Sequence, residues 1–120
     1  MKEPVSKHFD RSEFKCKCGN CDFDVVDVKL LEVLEDAREY FGVPMHINSA
    51  CRCEDWNKEV GGRETSQHLL GKAADVVIRE VTPQRLYQYF DAKYQNTFGL
   101  GLYPSFVHID VRVRKARWGD

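Results

Sequence analysis

The sequence predicts an α+β domain with a small, largely antiparallel sheet. Two observations predict it. Helical and extended patterns follow one another without the regular alternation that builds a parallel sheet. The last third holds two extended stretches joined by Pro104-Ser105, which reads as a tight turn and hence an antiparallel hairpin. With 120 residues, 42% hydrophobic and 31% charged, the chain reads as one globular domain.

Residues 1–26 are expected to be irregular, with short extended pieces around Phe14 and Val25-Val26. From Asp27 the pattern turns helical. Leu30, Leu31, Leu34, Ala37 and Phe41 recur at helical spacing behind Asp27 as N-cap, and Gly42 with Pro44 stops the helix. Met45 to Ser49 reads as a strand. Cys51 to Gly62 reads as a loop with a short helix around Asp55–Val60. Gly71 to Ile78 reads as a second strand with Val76-Val77-Ile78 as its buried end. Thr82 caps a helix with Pro83 at its first position, running to about Tyr94, its apolar stripe formed by Leu86, Tyr87, Phe90 and Tyr94. Phe98–Tyr103 and Phe106–Val113 form the hairpin. The tail, with Arg112, Arg114, Lys115, Arg117 and Trp118, reads as a solvated basic end with one packed Trp.

Net charge is −1, from 18 basic and 19 acidic residues. No nucleic-acid partner is expected from such a balance. No apolar run reaches membrane-spanning length, so no membrane insertion is expected. The polar start, Met1 to Phe9, lacks the apolar core of a secretory signal, and synthesis in the cytoplasm is expected. A monomer is expected. Cysteines stand at 16, 18, 21, 51 and 53. An odd number without an export signal argues against a disulfide framework. Cys16-x-Cys18-x-x-Cys21 is compact enough for a structural zinc if Cys51, Cys53 or His8 folds back as a fourth ligand. A reduced, partly buried cysteine turn is favoured, because structural sites usually show two clear ligand pairs.

The segment Ser66 to Asp75 holds a His and an Asp, both good Zn²⁺ ligands. Gly71 lets the chain turn between them, and small Ala73 and Ala74 let backbone pass close by. Phe106-Val107-His108-Ile109-Asp110-Val111 alternates cleanly: His108 and Asp110 share one face of a strand, while Val107, Ile109 and Val111 share the apolar other. Such a polar face is costly to cover unless it lines a cleft or holds a metal. Singly, each of these residues is commonly structural. Jointly, His68, Asp75 and His108 point to one metal.

These residues carry a resemblance. Ser66-x-His68, Gly71-x-Ala73-x-Asp75 and Phe106-Val107-His108-x-Asp110 resemble the zinc D-alanyl-D-alanine carboxypeptidases and phage endolysin-type L-alanyl-D-glutamate peptidases, the peptidase M15-like family. Ile47-Asn48-Ser49-Ala50-Cys51-Arg52, then Asn57 and Gly61-Gly62, resemble its arginine-bearing segment. Ser12-Glu13-Phe14 with the Cys-rich turn looks like one of its branches. The likeness spans roughly residues 6–113, within a single domain over 1–120. It implies a small α+β fold of the kind shared by DD-peptidases and Hedgehog signalling domains. It implies one Zn²⁺ per chain on His68, Asp75 and His108, with Arg52 steadying substrate and oxyanion.

Many relatives carry an acidic residue or His shortly before the last ligand as catalytic base. Here Ser105, Phe106 and Val107 stand there, so Asp110 is assigned the base, with Tyr103 and His46 as alternatives; Asp110 could instead orient a ligand His. Ser66 and Tyr103 are assigned, with Arg52, to substrate binding. The implied activity is hydrolysis of an amide bond in peptidoglycan peptide, by a phage or prophage lysin that reaches the cell wall after release. Two other functions are open: a catalytically silent zinc domain that binds a peptide or protein, and a zinc-free phage structural or accessory part.

Overall fold

The computed structural model describes residues 3–21, 23–63 and 66–119. Helix α1 spans Val28–Phe41, strand β1 Met45–Ser49, helix α2 Glu54–Glu59 and strand β2 Ala73–Ile78. Helix α3 spans Pro83–Lys93, followed by strands β3 Gly99–Leu102, β4 Val107–Asp110 and β5 Ala116–Gly119. The strands form one sheet in the order β1-β2-β4-β3-β5. Every pairing is antiparallel except β3 with β5. This is a small α+β domain, as the pattern of elements predicts. Among the described residues, no helix is long and apolar enough to cross a membrane.

The caps fall where the side chains dictate. The Asp27 carboxylate accepts from Lys29 N–H, and Gly42 closes α1 in the left-handed region at φ 71°. Thr82 caps α3, with Pro83 in its first turn. Leu30, Leu31, Val33, Leu34 and Ala37 of α1 and Leu86 and Phe90 of α3 enter one core. The sheet meets them with Met45, Ile47, Ala74, Val76, Ile78, Leu100, Val107 and Ile109.

Register then decides the opposite face. Asp75 pairs with His108 and Ala73 with Asp110 across β2 and β4. Gly101 pairs with His108 and Gly99 with Asp110 across β3 and β4. A one-residue slip in any of these strands would exchange the polar set for the apolar one, so burial of the core face fixes the polar face as well.

The structure departs from expectation at both ends. Phe14 is not extended: it closes a 3₁₀ turn, Arg11–Phe14, capped by Asp10, and its ring is fully buried. Val25-Val26 forms no strand. The tail is not a free basic end, because Ala116–Gly119 forms the edge strand β5. Arg117 explains how a charged residue is accommodated there. Its guanidinium donates to Asp91 Oδ1 at 2.7 Å and to the carbonyls of Tyr94, Thr97, Phe98 and Ala116.

Candidate metal centre

His68 lies on a 3₁₀ turn, Gln67–Leu70, between α2 and β2. The Ser66 hydroxyl accepts from His68 N–H at 3.2 Å and so starts the turn. Gly71 ends it at φ 68°, and a Cβ there would stand 2.5 Å from the Val25 carbonyl oxygen. The buried His68 ring turns Nδ1 to the Ala50 carbonyl, which leaves Nε2 facing Asp75 Oδ1 at 3.3 Å. From β4, His108 Nδ1 meets the same oxygen at 3.0 Å. The two imidazoles sit edge to face, 5.1 Å between centroids.

One donor atom each from His68, Asp75 and His108 lies within 4.8 Å of the others. Tetrahedral zinc with nitrogen and oxygen ligands at ~2.0–2.1 Å separates neighbouring donors by about 3.3 Å. The observed 3.0 and 3.3 Å spacings fit that geometry. Electrostatics fit as well. Burial pushes the Asp75 carboxyl up, but the hydrogen bonds of His108 and His68 outweigh it and hold it well below the usual carboxylate range. Burial opposes protonation of His108, yet its bonds to Asp110 and Asp75 raise it above the ordinary value. The centre favours positive charge, which a dication supplies.

Asp110 is fully buried behind His108. Its Oδ2 contacts His108 Nε2 at 2.7 Å, and Arg112 Nε and one terminal nitrogen donate to its two oxygens, each at 2.7 Å. Burial raises its carboxyl, but His108 and Arg112 hold it far below the carboxylate range. The carboxylate thus sits on the ring edge opposite the one that faces Asp75. It has the placement of a group that orients a ligand imidazole rather than one that receives a proton from solvent.

Glycines at Gly99 and Gly101 make room for this arrangement. A Cβ at Gly99 would come within 2.5 Å of Asp110, and one at Gly101 within 2.3 Å of the Trp118 indole nitrogen. Trp118, brought in by β5, lies 5.1 Å from the His108 ring and donates to the Tyr103 hydroxyl at 3.0 Å. Tyr103 stacks on Phe106.

Arg52 follows β1 and is largely buried. Its terminal nitrogens reach Asp75 Oδ2 at 3.4 Å and Asn57 Oδ1 at 3.3 Å, and Nε reaches Ser49 Oγ at 3.3 Å. Gly62 packs against this pair: a Cβ there would overlap Asn57. The His68–Asp75–His108 cluster opens into a cleft of about 660 Å³, also lined by Arg52, Ser66 and Tyr103. Asp75 is the single carboxylate among the described residues lining it. His46 is exposed on β1 and does not line the cleft.

The fold therefore brings together all three expected ligands with Arg52, Ser66 and Tyr103. Sequence reading missed the neighbours Arg112, Trp118, Gly99 and Gly101. Two signals were available: Arg112 follows Asp110 by two residues, and Gly99-x-Gly101 alternates like the strand face it clears. A search of curated proteins finds no match. The family model for peptidase M15 matches residues 7–110, and with the ligand motifs gathered at one centre, the chain belongs to the peptidase M15 family.

Proposed function

We propose that the chain is a zinc peptidase that hydrolyses an amide bond in the peptide part of bacterial peptidoglycan. The observation that carries this reading is the convergence of His68, Asp75 and His108 at the floor of an open cleft, beside a guanidinium. His68 Nε2, His108 Nδ1 and Asp75 hold the zinc. Bound there, zinc supplies Lewis acidity that brings the pKa of water towards ~7 and polarises a carbonyl.

Arg52 is held by Asn57, Ser49 and Asp75 with its terminal nitrogens at the cleft, where they meet charge developing on the scissile carbonyl oxygen. Ser66 and Tyr103 contact the peptide from the cleft walls. Asp110 acts through His108: with Arg112 it fixes the ring so that Nδ1 faces the metal. Because Tyr103 lines the cleft and Asp110 does not, we assign the proton exchange with substrate to the Tyr103 hydroxyl rather than to Asp110. The protein acts as a monomer on the wall after its release from the cytoplasm.

One observation favours a second reading, a zinc domain that binds peptide without cutting it: among the described cleft-lining residues, the only carboxylate is a metal ligand. Digestion of purified peptidoglycan, with mass spectrometry of the new chain ends, separates the two. The zinc-loaded protein is expected to release new amino and carboxyl ends, and His108→Ala to release none. A zinc-loaded wild type that binds peptidoglycan and leaves every bond intact establishes the second reading instead.

A further inference from the structure

Away from the cleft, Cys16, Cys18, Cys21 and Cys53 bring their sulfurs to within 4.8 Å of one another. The first three lie in the loop before α1, and Cys53 is the N-cap of α2. Cys18 and Cys21 Sγ are 3.4 Å apart, and Cys16 and Cys53 Sγ 3.8 Å. A disulfide requires about 2.05 Å, whereas a tetrahedron of thiolates at ~2.3 Å from zinc spaces its sulfurs by about 3.8 Å. Backbone N–H groups point at the sulfurs: Asn20 at Cys18 (3.2 Å), Cys53 at Cys16 (3.4 Å) and Trp56 at Cys53 (3.5 Å). Donors so placed stabilise the negative charge that a metal-bound sulfur carries. Gly19, at φ 78°, lets the chain turn between Cys18 and Cys21.

The other candidates are occupied elsewhere. Cys51 is buried, with Sγ on the carbonyls of Phe14 at 3.0 Å and Phe23 at 3.1 Å. His8 bonds Glu35 at 2.6 Å. Four cysteines remain, and they form one cluster.

The geometry points to a second, structural zinc site formed by Cys16, Cys18, Cys21 and Cys53. All four positions of the ion are filled by protein, so the site is closed and takes no substrate. Binding displaces the thiol protons to solvent and cross-links the loop before α1 to the start of α2. Arg52 stands one residue before the last ligand, and its N–H donates to the His68 carbonyl at 3.0 Å. The zinc thereby fastens the segment that carries Arg52.

The test is cobalt substitution of the full chain under thiol reductant. Thiolate ligation gives a sulfur-to-cobalt charge-transfer band in the near ultraviolet; a histidine–carboxylate site does not. Wild type and His68→Ala are both expected to show the band, and added zinc to abolish it. Cys53→Ser and Cys18→Ser are each expected to lose most of its intensity. Zinc is also expected to slow alkylation of Cys18, Cys21 and Cys53, read by peptide mass spectrometry, a measurement that needs no variant. A reduced wild-type chain that shows no such band, and whose cysteines alkylate equally fast with and without zinc, overturns the proposal. That outcome leaves the His68–Asp75–His108 reading untouched, because His68→Ala and metal content report on it separately.

Discussion

Asp110→Asn separates the two things a carboxylate can do beside a ligand histidine. With its oxygens bonded to His108 Nε2 and Arg112, Asp110 is expected to matter through zinc affinity. The substitution should weaken zinc by ~10–100-fold, with activity returning as zinc is added. Competition with a chromophoric chelator measures the first effect and turnover against zinc concentration the second. Full zinc affinity with most of the rate lost would instead make Asp110 the base, whose removal costs ~10²–10⁴. Arg52 should behave oppositely. Arg52→Ala is expected to keep zinc and fold while lowering turnover ~10²–10³. Lys should recover only part of it, because one ammonium cannot bridge Asn57, Ser49 and Asp75 as the planar fork does. Unchanged turnover in Arg52→Ala would reduce this residue to a packing role.

At the scale of elements, the segment before α1 is held by a carboxylate. Glu35 on α1 accepts from the Ser6 hydroxyl at 2.6 Å and from His8 N–H at 2.7 Å, and meets the His8 ring at 2.6 Å. Burial pushes this carboxyl up, but the Ser6 and His8 hydrogen bonds outweigh it and hold it below the ordinary range. A depressed carboxylate stabilises the fold above its unfolded pKa of ~4.3 and loses that contribution as pH falls through the folded value. Glu35→Gln should therefore unfold at lower urea than wild type near pH 6, and the gap should narrow below about pH 4. An equal gap at both pH values would mean that the charge is not what fastens the segment. This contact joins residues 27 or more apart in sequence, and no periodicity reveals it. The helices and inner strands were legible because caps and apolar spacing are local. Strand β5 was not, because Arg117 reads as solvated until the carbonyls it satisfies are known.

Across the whole molecule, the sheet has an apolar face in the core and a polar face toward the cleft. That division was legible from one short run, Phe106 to Val111, because strand alternation determines which side chains share a face. It put His108 on the polar face, where the register of β2 and β4 then sets it opposite Asp75. It could not show what stands behind His108, since Arg112 and Trp118 arrive through the turn after β4 and a parallel edge pairing. Nor could it select Cys53 over Cys51, which depends on a contact across 37 residues. The closing strand also makes the domain's stability depend on one residue. The Arg117 side chain is mostly buried and donates to groups on α3, the following turn, Phe98 and β5 itself. Removing it takes a charged donor from Asp91 and from four carbonyls in part-buried bonds, and hydrogen bonds to a charged group contribute ~1.5–3 kcal/mol. Arg117→Ala is expected to cost roughly 2–3 kcal/mol in a single cooperative urea transition. Arg117→Lys should recover less than half, because a single ammonium cannot span acceptors spread over three elements. The same variant should keep zinc at the His68–Asp75–His108 centre, whose ligands lie on inner strands and the 3₁₀ turn. A loss within the ~0.5 kcal/mol usual for surface substitutions would mean that backbone pairing with β3 and the Trp118 contacts hold β5 without the Arg117 side chain.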